Sequence, residues 1–188
     1  MGGSFWILAA ALLCFDTGNF FLWFLLSCFL HELGHVTAIR LMGGKILRFR
    51  LTAFGAVIVP VRDRLFSYRE EIIIALAGPG ASMALAFSSA LLTRCIGVET
   101  LYLFAGLNFA VGLFNLIPAG PLDGGRILRL SLTAWRGPDA GEKICRFVTA
   151  LIGLLLFAFS LHVAKIGGNF VLFLATVWLF AGNQRNRA

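Results

Sequence analysis

The sequence predicts an all-α polytopic membrane protein of about six transmembrane segments, with a small membrane-associated β-hairpin between the second and third. Three observations carry that expectation. Residues of the AVILMFWYC set make up 59% of the 188 and charged residues only 13%, with mean hydropathy +0.88. An ordinary soluble domain is about 45–50% apolar and about 25% charged, so this chain could not cover itself in water. Apolar residues fall in runs long enough to cross a bilayer. The basic residues, finally, gather on alternate connections. The same figures exclude disorder, a collagen repeat and a small disulfide scaffold.

The clearest apolar runs are Phe20 to Met42, Ile72 to Leu92, Leu101 to Ile117 and Phe147 to Val163. At about 1.5 Å per residue they reach across a hydrocarbon core about 30 Å thick, the shorter ones with some thinning. Two weaker runs, Phe5 to Phe15 and Phe170 to Ala181, complete the expected six. The N-terminal run has no Lys or Arg before it and no small-x-small cleavage site, so it reads as retained rather than as a signal peptide.

Between the second and third runs the period changes. Leu47, Phe49 and Leu51 alternate with Arg48, Arg50 and Thr52, which is a strand pattern. Ala53-Phe54-Gly55 can turn the chain, and Ala56 to Val59 reads as a second strand ending at Pro60, so a hairpin is expected over about 45–61. The pattern alone leaves it balanced between a plain loop and an edge that accepts an extended peptide.

On the six-span reading, one side carries Arg40, Lys45, Arg48, Arg50, Arg62, Arg64, Arg69, Arg126, Arg129, Arg136, Lys143, Arg146, Arg185 and Arg187, and the other only Arg94 and Lys165. That bias places the first group in the cytoplasm. The net charge of +7 is then a consequence of topology and anionic-lipid contact, and no nucleic-acid partner is expected. Cys14, Cys28, Cys95 and Cys145 are scattered among apolar neighbours without a CxxC pair and read as buried small hydrophobes.

Chemistry concentrates at two places. Phe29-Leu30-His31-Glu32-Leu33-Gly34-His35 contains HExxH. On a helix His31 and His35 share one face, close enough for both imidazoles to bind one zinc, while Glu32 can act as general base, the arrangement of a metalloprotease. Ionisable residues inside a membrane segment are costly, which favours function over a pair of satisfied core histidines. A catalytic zinc takes three protein ligands. Of the nine acidic residues, Asp63, Glu70 and Glu71 lie among arginines, Asp16 and Glu99 fall on the far side, and Asp139 and Glu142 suit a helix first turn. His162 lies near the far end of its run. Asp123 remains, in Asn115-Leu116-Ile117-Pro118-Ala119-Gly120-Pro121-Leu122-Asp123-Gly124-Gly125-Arg126. Its prolines and glycines preclude a regular helix, and such broken backbone is tolerated in a membrane where it lines a cavity. A polar funnel from the cytoplasm, lined partly by Gly120, Gly124 and Gly125, is expected to bring water to the site.

HELGH in an apolar run, followed by NLIPAGPLDGGR, resembles the site-2 intramembrane metalloproteases. The likeness is to the compact bacterial branch that includes the sporulation protease cleaving a membrane-associated pro-sigma factor. It extends through Glu71 to Pro79, which is similar to the family's third-span segment. The resemblance implies one zinc per chain held by His31, His35 and Asp123, with Glu32 as catalytic base. It also implies a membrane-embedded protein substrate, such as a pro-sigma or anti-sigma factor, in a multi-pass protein of the bacterial cytoplasmic membrane with its site toward the cytoplasm. Asn115 and Pro121 match positions that shape the substrate cleft, and the hairpin, with Phe54 and Gly55, matches strands that dock substrate. A single domain over 1–188 is expected, without the PDZ or CBS modules of other branches. Two other readings are a catalytically silent relative that binds a membrane partner and a metal transporter.

Overall fold

The structure is a computed structural model that describes residues 19–52, 55–60, 65–120 and 122–165. Among these residues the order is α1 (Phe20–Leu41), β1 (Ile46–Thr52), β2 (Gly55–Pro60), α2 (Tyr68–Ile96), α3 (Thr100–Asn115), α4 (Asp123–Arg136) and α5 (Pro138–Lys165). The chain divides into two compact units, residues 1–114 and 115–188.

The expectation of an all-α protein with about six spans is corrected. Among the described residues three helices are long and apolar enough to cross a membrane, Phe20–Leu41, Tyr68–Ile96 and Pro138–His162. The run over Leu101 to Ile117 becomes α3, whose 16 residues rise only about 24 Å, short of a full crossing. The two terminal runs lie outside the described residues. Ile46–Thr52 and Gly55–Pro60 are not helical: β1 and β2 pair antiparallel, Phe49 opposite Ile58 and Leu51 opposite Ala56, with a register shift between Ile46 and Arg48.

In the first unit, α1 packs against α2. The buried positions of α1 are Ser27, His31, His35, Ala38 and Ile39, a stripe at helical spacing. Phe20, Leu22, Phe24, Leu26, Phe29 and Leu33 are exposed. This reverses a soluble helix: polar side chains face protein and apolar ones face outward, as a lipid solvent requires. Beyond Ile74 the matching stripe on α2 is of small or hydroxylated residues, with Gly78, Ser82, Ala86, Ser89 and Thr93 buried. A Cβ on Gly34 would lie 2.6 Å from the Ala77 carbonyl and 2.8 Å from Ala81 Cβ, so the α1 and α2 backbones meet there through small residues.

The ends of α2 are set by local chemistry. Ser67 and Glu70 form a reciprocal capping box, with Ser67 N–H donating to Glu70 Oε2 at 2.8 Å. At the other end Gly97 has φ +71° and its N–H closes on the Thr93 carbonyl. These signals start the helix four residues before the apolar run and end it four residues after.

The second unit is built on α4 against α5. In the link before α4, Ala119 N–H bonds to the Ile117 carbonyl, Leu122 N–H to the Ala119 carbonyl, and Gly120 N–H to Thr149 Oγ1 of α5 at 3.0 Å. Gly124 and Gly125 are buried and do not line an open funnel. A Cβ on Gly124 would fall on the Leu116 carbonyl, and one on Gly125 on the Ala119 carbonyl. The two glycines let the link lie directly on the first turn of α4.

Replacing Gly34 by Leu is expected to force the α1–α2 crossing apart and destabilise the protein by about 1–3 kcal/mol. Thermal unfolding in detergent, followed by tryptophan fluorescence, checks this; an unchanged midpoint would contradict the close crossing.

Candidate metal centre

HExxH lies in the middle of α1, and its two histidines are buried at 3% and 8% exposure. Their rings meet edge to face, centroids 5.0 Å apart at 80°. The Nε2 atoms face each other at 3.3 Å.

Both outer nitrogens are held by α2. His35 Nδ1 lies 2.7 Å from the Ile74 carbonyl. A carbonyl only accepts, so Nδ1 carries a proton, and in the neutral form of the ring the lone pair is on Nε2, the nitrogen that faces His31. His31 Nδ1 lies 3.0 Å from Ser82 Oγ. Ile74 and Ser82 stand eight residues apart on one face of α2, and between them Gly78 opens a gap. A Cβ there would fall on His35 Nε2, 2.5 Å from its Cε1 and 2.8 Å from His31 Nε2. The glycine therefore keeps clear the space beside both nitrogens.

This donor set suits a metal. Two ligands on a tetrahedral zinc at about 2.0–2.1 Å stand about 3.3 Å apart, the separation seen here. Each imidazole has a partner on its other nitrogen, the usual device that fixes tautomer and ring orientation at metal sites. Glu32 follows His31 directly and is half-buried.

The other expected residues fall as follows. Asp123 is the first residue of α4, half-buried, with Leu122 as N-cap, and belongs to the second unit. Asn115 is the half-buried last residue of α3. Gly55 opens β2, while Phe54 and Pro121 lie outside the described residues. His162 is exposed on α5.

Sequence reasoning missed Ile74, Gly78 and Ser82 as partners of the histidines. A signal was present: the three recur every fourth residue in a segment of small side chains, the spacing of one helical face. Nothing in the sequence said which helix that face would meet.

A buried histidine pair converging on a small-residue face, inside a helix of spanning length, defines a membrane protein with a metal-binding type of site. Comparison with known proteins narrows this. Residues 92–159 match the model of Peptidase family M50. A zinc metalloprotease of Methanocaldococcus jannaschii is 31% identical over 170 residues, 88% of this chain and 48% of that protein. Stage IV sporulation protein FB of Bacillus subtilis is 32% identical over 127 residues, 66% of this chain and 44% of that protein. The solved site-2 protease from Methanocaldococcus jannaschii superposes with a TM-score of 0.72 at 28% identity, covering 96% of this chain and 85% of that one. The chain belongs to peptidase family M50, the site-2 protease family of zinc metalloproteases. It spans about half the length, or less, of these curated relatives.

Gly78→Val is expected to abolish metal uptake, because the added side chain occupies the space beside both Nε2 atoms. Zinc content of the purified variant measures this, with circular dichroism to show that the helices persist; full zinc content would refute the cradle.

Proposed function

We propose that this chain is the catalytic region of an intramembrane zinc metalloprotease that cuts peptide bonds in or near transmembrane segments of membrane-embedded proteins. The observation that carries the reading is the convergence of His31 and His35 Nε2 at 3.3 Å on an HExxH helix with Glu32 beside them. Family membership agrees with it. His31, His35 and Asp123 would hold one zinc, two imidazoles and a carboxylate leaving a fourth position open. When bound, zinc supplies a Lewis acid that makes water a competent nucleophile near neutral pH and polarises the scissile carbonyl.

The chain's own residues do the rest. Glu32 takes the proton from the attacking water and returns it to the leaving amine. Ser82 and the Ile74 carbonyl keep the two imidazoles oriented, and the small face of α2 lets them sit against backbone. Asn115, Pro121, Phe54 and Gly55 are proposed as substrate contacts. The substrate's scissile segment must leave its helical hydrogen bonds before attack, since a helix hides its peptide groups. The excess of basic residues on one set of connections supports a site that opens toward the cytoplasm.

Purified protein is expected to hold about one zinc per chain, the stoichiometry of a three-ligand catalytic site. Glu32→Gln should keep the metal and lose cleavage of a co-expressed transmembrane substrate by at least about 10²-fold. Asp123→Ala should lose both. A protein without zinc, or a Glu32→Gln variant that still cleaves, would defeat the proposal.

A further inference from the structure

Two buried polar groups beside the histidine pair have complementary unmet needs. Asn108 on α3 is fully enclosed, and its Nδ2 donates to Ser27 Oγ at 3.0 Å and to the Phe104 carbonyl at 2.9 Å. Because the carbonyl can only accept, the amide orientation is settled and the remaining atom is Oδ1. Among the described residues that Oδ1 meets no hydrogen-bond partner. Ser82 on α2 is equally enclosed, and among the described residues its hydroxyl has one hydrogen-bond partner, His31 Nδ1.

An imidazole that binds metal through Nε2 carries its proton on Nδ1. Ser82 then accepts from His31, and its own hydroxyl proton needs another acceptor. So α2 presents a donor lacking an acceptor, and α3 an acceptor lacking a donor. The two helices meet closely at this level. Gly112, one turn along α3 from Asn108, would place a Cβ 3.1 Å from Ser82 Cβ and 3.3 Å from the Pro79 carbonyl. Buried polar groups are nearly always satisfied, by protein or by an ordered water.

We infer that one buried water bridges Ser82 Oγ and Asn108 Oδ1, accepting from the serine and donating to the amide. It joins Ser27, Asn108, Ser82 and His31 into one hydrogen-bonded chain across α1, α2 and α3. Ser27 anchors the far end by donating to the Trp23 carbonyl at 2.9 Å. By taking the serine proton, the water holds Ser82 as the acceptor for His31 and so holds His31 in the tautomer that presents Nε2. Asn108 and Ser82 are thus positioning residues. The need of Asn108 Oδ1 for a donor stands by itself; the serine's free proton, and with it the effect on His31, rests on the metal-ligand reading above.

The test uses the full chain in detergent as wild type, Ser82→Ala, Asn108→Leu and the double variant, with zinc affinity measured by competition against a chromophoric chelator. Each single change is expected to weaken zinc binding about 10-fold or more, the usual scale for partners of metal-bound histidines. The double variant should bind no more weakly than the weaker single, because both changes break one chain. Losses that multiply, or an Asn108→Leu protein that binds zinc as wild type does, would overturn the bridge. Should Asn108→Leu fail to fold, a wild-type structure in lipid decides: ordered density within about 2.6–3.2 Å of both Ser82 Oγ and Asn108 Oδ1 is expected. No density there, or a direct bond between the two side chains, rejects the water. A wild-type protein that binds no zinc overturns the metal reading instead, and the density test still decides the water.

Discussion

The approach of His31 and His35 through their Nε2 atoms is the interaction around which the first unit is arranged. Two lone pairs at 3.3 Å are unfavourable unless a cation or a shared proton lies between them. The pair persists because α2 holds each ring from behind, by the Ile74 carbonyl on one side and Ser82 on the other. That support demands a close crossing of α1 and α2, and the close crossing demands small residues. Gly34, Ala77, Gly78 and Ala81 are the consequence. Metal chemistry and helix packing are therefore one constraint here, since a larger side chain at 78 would spoil both.

Lipid as the solvent explains the distribution of polarity. Outward positions on α1, α2 and α5 are Phe, Leu and Ile, while Ser27, His31, His35, Ser82, Ser89, Asn108, Thr149 and Ser160 are buried. In water such a core would be unstable against an apolar one of the same shape. In a bilayer apolar side chains gain little by leaving lipid, and polar groups gain by finding one another. The pairing of Ser27 with Asn108 and of Thr149 with the Gly120 N–H follows the same logic in the two units. The link before α4 shows how non-helical backbone is accommodated: the N–H groups of Ala119 and Leu122 bond within the link and that of Gly120 to α5, and Gly124 and Gly125 let it rest on helix backbone.

Several elements were legible because their physics is local. HExxH reads as a metal-binding face since residues four apart on any helix lie together. The alternation over Leu47 to Thr52 reads as a strand since side chains in a strand alternate sides. Other elements were not. α4 carries two glycines in its first turn and mixes Arg with Leu, so no apolar run announces it; it forms by packing on α5. α5 starts at Pro138, nine residues before its apolar run, because a proline suits the first helical position and Asp139 the first turn. Among the described residues three helices, not four, have spanning length, because the run over Leu101 to Ile117 is itself short and α3 covers only 16 residues of it and its flank.

By itself the sequence determined that the chain lives in a membrane and that two imidazoles with a glutamate share one helical face. Its scarcity of charge and the covalent spacing of its residues are sufficient for that. Only the tertiary structure decided which groups hold those imidazoles. Ile74, Gly78 and Ser82 acquire their roles when α2 is laid against α1 in one register, and Asn108 when α3 joins them. Such pairings lie 39 to 81 residues apart in the chain, and they depend on packing complementarity between faces that a one-dimensional pattern does not contain.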